Sequence, residues 1–104
     1  MNPAPRQHTP GPWDVEPKGS RHFVDGADGL TVAYLDRAGV RERAEIEANA
    51  LLIAAAPELL AALEDMTDRY ARAMKDSGVS HYPEAMVEIR SARAAIAKAT
   101  GGAA

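Results

Sequence analysis

The feature that most limits the possible folds is a long helical repeat of apolar residues interrupted by a proline. From residue 41 onward, apolar or small residues recur every three or four positions, the spacing of one face of an α-helix. They lie at positions 46, 49, 53, 56, 60, 63, 66, 70 and 74. Pro57 falls inside this pattern, where a proline removes a backbone donor and clashes with the preceding turn. We therefore predict a kinked or broken helix over residues 41–76, with the break near Ala56.

Three short segments before this helix have the composition of β-strands. They cover residues 13–16, 21–24 and 30–35. The first two are separated by Pro17, Lys18 and Gly19, and the last two by DGADG, and both spacers are rich in turn-forming residues. We expect an antiparallel β-meander in a β-region over residues 13–36, covered on one face by helix because so small a sheet is not stable alone.

The C-terminal part predicts a helical hairpin. The helix before it ends at Ser77 and Gly78, and Tyr82 and Pro83 open a last helix over residues 82–100. The short connection favours antiparallel packing. The predicted fold class is α+β: a short N-terminal antiparallel β-meander, a kinked or broken helix and a C-terminal antiparallel helical hairpin. We expect a proline-rich arm over residues 1–12 and a single domain over residues 13–104.

Composition narrows the classes of function. The net charge of −3 argues against a partner such as long nucleic acid, and the absence of cysteine excludes disulfides and thiolate metal sites. The first residues carry no apolar run, so we expect no secretory signal, no membrane partner and a cytoplasmic location. Aromatic residues make up only 5% of the chain, and its alanine-rich stripes bury little area. That shortage favours a homo-oligomer, a dimer or a trimer of dimers, in which several chains share a core.

No arrangement of residues typical of catalysis is evident. The three histidines lie far apart in the sequence, and the chain contains no nucleophile elbow, Walker loop or dinucleotide fingerprint. The acidic residues of the helices alternate with arginines, as on a solvated face with paired charges. We therefore expect no enzyme, no cofactor and no metal, with a site of histidine and carboxylate ligands as a minor alternative.

The predicted hairpin brings arginines and a tyrosine to one level. If the turn is centred near residue 79 or 80, the residues at that level are Arg69, Tyr70, Arg72, Arg90 and Arg93. Arginine suits phosphate and an aromatic ring suits a base, so this band is a candidate nucleotide site. The alternative is that Asp65, Asp68 and Glu88 simply pair with these arginines.

Three other candidates lie outside this band. Asn49 is an amide within the apolar stripe, and it either ties the helix to the sheet or donates to a ligand. Arg41 and Arg43 lie where a helix N-terminus favours anions. Trp13 follows the arm, where a tryptophan either pins the arm to the core or stacks on a ligand.

Three motifs also give the chain a family resemblance. TPGPW at residues 9–13, ANALLIAAAPELLAAL at residues 48–63 and ARAAIAKA at residues 92–99 resemble segments of small phage and prophage proteins. The chain is also similar in plan to the Thoeris anti-defence sponge proteins. That resemblance implies a homo-oligomer that binds cyclic nucleotide immune signals, cyclic ADP-ribose isomers or cyclic oligonucleotides, and sequesters them without cleavage.

The leading hypothesis is therefore a non-catalytic phage protein that captures a cyclic nucleotide in the infected bacterial host. Two rival hypotheses come from other classes. One is an inhibitor that binds a host nuclease or a CRISPR complex through its acidic helices, and the other is a structural accessory protein without a ligand.

Overall fold

The computed structural model describes residues 7–36 and 42–102. Its strands are β1 (Asp14–Lys18), β2 (Arg21–Asp25) and β3 (Thr31–Leu35), and its helices are α1 (Arg43–Ala54), α2 (Ala56–Asp76) and α3 (Val87–Thr100). Residues 9–59 form one compact unit, which we call the sheet unit, and residues 60–102 belong to a second, which we call the helical unit. The α+β layout is the predicted one. The start of the predicted arm, residues 1–6, and the candidate Arg41 lie outside the described residues.

The three strands form an antiparallel meander in the order β1-β2-β3. Gly19 takes a φ of 64°, the positive value that a tight hairpin turn needs at its first central position. Pro17 and Lys18 belong to β1 and pair with His22 and Arg21, although the sequence predicted them as part of the spacer. Pro17 is tolerated there because β1 is an edge strand, where a missing backbone donor need not break a ladder.

The third strand starts one residue later than predicted. The backbone N–H of Leu30 donates to the Asp28 carboxylate at 3.0 Å, and its carbonyl accepts from Gly26 at 2.9 Å. Both polar groups of Leu30 are therefore used by the turn, and its side chain is exposed. An irregularity in the register next to Asp25 pairs that residue with Thr31, whose hydroxyl donates to the Asp25 carboxylate at 2.9 Å.

Helix α1 covers one face of the sheet. Val24 and Ala50 are fully buried, and Ala54 is 8% exposed beside them. Alanines at these positions let the helix backbone approach the sheet closely. The partly buried side chains around this core are Trp13, Val15, Ala33, Leu35 and Ile53.

The predicted break in the long helix is confirmed. Helix α1 ends at Ala54 and α2 begins at Ala56, so Pro57 stands in the first turn of a new helix, where its missing N–H costs nothing. The predicted stripe is wrong further along α2. Thr67 is buried, whereas Met66 is 68% and Tyr70 40% exposed. The predicted positions 60, 63 and 74 are half-buried, so from residue 60 onward the burial departs from the predicted stripe only in the middle of α2.

The helical unit contains α2 from Leu60 onward and the whole of α3. Gly78, with a φ of 76°, follows the end of α2, and the N–H of Ser80 donates to the carbonyl of Met74 at 3.1 Å. The last helix starts later than predicted: Pro83–Ala85 form a separate 3₁₀ turn, and Met86 has an extended backbone with a ψ of 137°. Tyr82, predicted on the inner face, is 80% exposed.

Within residues 60–102, burial is concentrated on two side chains. Ile89 is 1% and Thr67 5% exposed, and the Thr67 hydroxyl donates to the carbonyl of Leu63 at 2.6 Å. The predicted inner face of α3 is otherwise confirmed, since Met86, Ala92, Arg93 and Ile96 are half-buried.

His22 is the one polar side chain buried in the sheet unit among the described residues. It is 3% exposed, and its Nδ1 has no hydrogen-bond partner there. A buried polar atom left unpaired costs about 1–3 kcal/mol. We expect His22→Leu to raise the free energy of unfolding by about 1 kcal/mol, measured by urea denaturation. The exposed His81→Leu is the control and should change little. A loss of stability in His22→Leu would mean that Nδ1 is paired in solution.

Candidate functional site

Among the candidate arginines of the predicted hairpin, Arg93 is the one held by two carboxylates. Its guanidinium contacts Glu84 through Nε and Nη2 at 3.2 and 3.1 Å, and Asp68 through Nη1 at 2.8 Å. The hydrogen bonds to Glu84 and then to Asp68 raise the pKa of Arg93. Two carboxylates already neutralise the charge of this guanidinium, so it attracts a phosphate only weakly.

The other hairpin arginines are exposed. Arg69 pairs with Asp65 one turn earlier on α2 at 3.0 Å. An exposed pair of this kind contributes little to stability and opens easily. Arg72 and Arg90 are exposed, and neither forms an ion pair with a described residue. Of the predicted acidic partners, Asp65 and Asp68 are used, and Glu84 takes the place of Glu88.

Tyr70 does not lie beside the ion pairs of Arg93. It follows Asp68 by two positions, which on an α-helix is a rotation of about 200°. Since Asp68 contacts Arg93, Tyr70 projects from the other side of α2. The structure therefore brings Arg93 to the level predicted for it but does not combine it with the tyrosine in one binding surface.

The candidates outside the hairpin band have three different settings. Trp13 is half-buried against the core of the sheet unit, and its Nε1 donates to the carbonyl of Thr9 at 3.0 Å, as a tryptophan that pins the arm would. Asn49 is half-buried on α1, and no hydrogen bond joins its side chain to another described residue. Arg43 is the exposed first residue of α1.

A different surface combines aromatic rings with cations. The side of the sheet opposite α1, which we call the open sheet face, presents alternate residues of each strand. Its central members are Glu16, Lys18, Arg21, Phe23 and Tyr34. The strand β2 shows this alternation directly: His22 and Val24 are buried, whereas Arg21 is exposed and Phe23 half-buried.

Two aromatic rings form the centre of the open sheet face. Phe23 and Tyr34 are directly paired across β2 and β3, and their rings stack with centroids 5.9 Å apart and planes 26° from parallel. Tyr34 is 63% exposed. The Lys18 ammonium lies 5.3 Å from the centroid of the Phe23 ring, a favourable cation–π distance. A flat ligand placed on Tyr34 would therefore have an ammonium group beside it.

Charges on the open sheet face are separated along the strands. Lys18 and Arg21 pair with each other across β1 and β2 at the end next to the Gly19 turn. Arg21 contacts Asp36 only loosely, at 3.7 Å. Glu16 pairs with Phe23, and Asp14 pairs with Asp25 at the far end. The surface is thus cationic at one end, aromatic in the middle and acidic towards the other end.

Sequence reasoning missed this surface, although a signal was present. In RHFVD, the segment that forms β2, successive side chains point to opposite faces of the sheet. Phe23 and Val24 must therefore lie on opposite sides. The pairing of Tyr34 with Phe23 depends on a register that the turn sequence alone does not specify.

Across residues 7–36 and 42–102, no three His, Cys, Asp or Glu side chains come together so as to hold a metal ion. No single described helix is long and apolar enough to cross a membrane, and only α1 and α2 taken together across their break reach that length and composition.

Comparison with known proteins assigns the family. The family model of Salmonella phage P22 protein Y8K6 matches residues 1–103, nearly the whole chain. No curated protein and no solved structure matches it. The predicted relation to small phage proteins is confirmed, and the chain belongs to the Salmonella phage P22 protein Y8K6 family.

Proposed function

We propose that this phage protein is a non-catalytic binder that sequesters a cyclic nucleotide immune signal in the cytoplasm of the infected host. The observation that carries the proposal is the stacked pair Phe23 and Tyr34 beside Lys18 and Arg21 on the open sheet face. A nucleotide has a flat base and an anionic phosphate, and this surface offers a partner for each.

The energetics favour the exposed ring of Tyr34 as the main contact. Stacking of a base on an aromatic side chain contributes about 1–3 kcal/mol. Lys18 lies over Phe23, so it can turn towards a phosphate without crossing the sheet. When this ammonium group moves from the Phe23 ring to a phosphate, a charge-assisted hydrogen bond replaces a weak cation–π contact.

The hairpin arginines have a smaller part in this proposal than in the hypothesis drawn from the sequence. Glu84 and Asp68 occupy Arg93, and a phosphate would have to displace both carboxylates. Arg72 and Arg90 remain accessible in the other unit. A separate, weaker phosphate contact at these two arginines is compatible with a main site on the sheet.

Tyr34→Ala tests the proposal. Affinity is measured by isothermal titration and native mass spectrometry with cyclic ADP-ribose, cyclic di-GMP and cyclic di-AMP as probes. We expect at least one probe to be retained intact, and Tyr34→Ala to weaken its binding roughly 10- to 100-fold through loss of stacking. The control is Tyr82→Ala, which removes a tyrosine that is 80% exposed on the other unit.

Three results would contradict the proposal. If the native protein retains none of the three probes, the proposed binding of cyclic nucleotides is wrong. Equal affinities of Tyr34→Ala and the native protein would remove the open sheet face as its site. Cleavage of a probe during the titration would contradict the sequestering role.

Self-association is a second part of the proposal. On α2, Met66 and Tyr70 lie one turn apart and are 68% and 40% exposed, and a second copy of the chain would remove this apolar surface from water. A dimer or a trimer of dimers fits this need. The same surface favours the alternative function, an inhibitor that binds a host protein through α2, and the native mass of the purified protein separates self-association from a monomer.

A further inference from the structure

We infer that Glu16 makes the open sheet face select guanine over adenine, so that the sequestered signal is a guanine-containing cyclic oligonucleotide. This inference rests on the proposed function and narrows its ligand. It concerns the edge of the base, whereas the proposal above concerns the flat face of the base and the phosphate.

The position of Glu16 beside the rings is fixed by the strand register. Glu16 pairs with Phe23 on one side of β2, and Tyr34 pairs with Phe23 on the other side. The three residues thus form one row across the sheet, with neighbouring strands about 4.8 Å apart. When Lys18 turns from the Phe23 ring towards a phosphate, a base that extends from Tyr34 over Phe23 has one edge towards β1 and therefore towards the Glu16 carboxylate.

The Glu16 carboxylate is available to a ligand. The residue is exposed, and it forms no ion pair or hydrogen bond with another described residue. Its neighbour Lys18 lies over the Phe23 ring instead of pairing with it. Because the carboxylate has no partner among the described residues, no ion pair with them must break when a ligand binds. Its two oxygens can accept two hydrogen bonds side by side.

The hydrogen-bonding pattern of the bases decides the preference. An ionised carboxylate only accepts hydrogen bonds. Guanine presents two neighbouring donors, N1–H and N2–H, which match the two carboxylate oxygens. Adenine presents the N6 amino donor next to N1, a lone-pair acceptor that the carboxylate repels. A site that sets an acceptor of the ligand against a carboxylate acceptor discriminates against that ligand through this repulsion.

The charges along the strands give the bound ligand one orientation. Lys18 lies two residues beyond Glu16 on the same strand and face, a separation of about 7 Å along the strand. Arg21 pairs with Lys18 across β1 and β2, so both cations lie at this end of the sheet. With the phosphates at this cationic end, the base lies over the row that contains Glu16. The reverse orientation would place the phosphates beside Asp14 and Asp25, which repel them.

The test compares two probes that differ only in their bases, cyclic di-GMP and cyclic di-AMP. We expect the native protein to bind cyclic di-GMP at least 10-fold more tightly. Glu16→Gln should bring the ratio of the two affinities close to one, because an amide can donate to adenine N1 and keeps only one acceptor for guanine. The matched control is Asp14→Asn, which removes the same charge on the same strand and face and should leave the ratio unchanged.

The failure of this inference can be separated from the failure of the proposed function. Equal affinities of the native protein for both probes, or a preference for cyclic di-AMP, would overturn the guanine selection and leave nucleotide sequestration intact. A guanine preference that persists in Glu16→Gln would overturn the role of Glu16. Binding of neither probe nor of cyclic ADP-ribose would overturn the proposed function and this inference together.

Discussion

Replacing Ile89 with alanine is expected to lower the free energy of unfolding of the helical unit by about 3 kcal/mol. Ile89 is 1% exposed and is the one large apolar side chain buried within residues 60–102. Its truncation removes the transfer energy of the lost carbons and leaves a cavity that alanine-rich helices cannot fill from nearby side chains. A unit with so small a core has no second buried cluster to compensate.

The measurement is hydrogen exchange followed by mass spectrometry, read separately for peptides of residues 60–102 and of residues 9–59. In Ile89→Ala, we expect protection to fall in the helical peptides first. Val87→Ala is the matched control, because Val87 lies on the same helix and is 68% exposed. Similar losses in the two variants would show that Ile89 is not the centre of the helical core.

Much of the fold could be predicted from local signals in the sequence. Pro57 predicts the break near Ala56 because a proline has the same effect in any helix interior. The turn residues around Gly19 and Gly29 predict three strands, and Gly78 predicts the end of α2. The errors occur where tertiary context decides. Pro17 stays in β1 because that strand is an edge, and edge position is a property of the whole sheet.

The middle of α2 departs from the stripe that the apolar spacing predicts. The predicted positions 60, 63 and 74 are half-buried, but Met66 and Tyr70 between them are exposed. The buried position is instead Thr67, a polar residue that satisfies its hydroxyl on the carbonyl of Leu63. A hydroxyl that bonds within its own helix behaves as an apolar group towards the core.

The candidate site illustrates a different limit of sequence reasoning. The level of Arg93 on the hairpin could be calculated from the length of the turn, and its ion pair with Asp68 agrees with that level. Which carboxylates would occupy it could not be calculated, since that depends on side-chain directions across two helices. The pairing of Phe23 with Tyr34 likewise depends on strand register, which the DGADG turn leaves open.

Ala50→Leu is expected to destabilise the sheet unit by about 2–3 kcal/mol. Ala50 is fully buried against Val24, so an added isopropyl group has no space and must push α1 away from the sheet. The measurement is the midpoint of thermal unfolding. Ala48→Leu on the exposed side of the same helix is the control and should have little effect. Equal midpoints for the two variants would mean that α1 does not cover this face of the sheet.

This variant also separates the two faces of the sheet. The open sheet face carries Phe23 and Tyr34, whereas Ala50 acts on the face that Val24 and Ala33 share. At temperatures where Ala50→Leu is still folded, its affinity for a nucleotide probe should therefore stay within about twofold of the native value, since additivity holds for sites without shared partners. A large loss of affinity in the folded variant would place the ligand on the α1 side, near Asn49, and away from the exposed tyrosine.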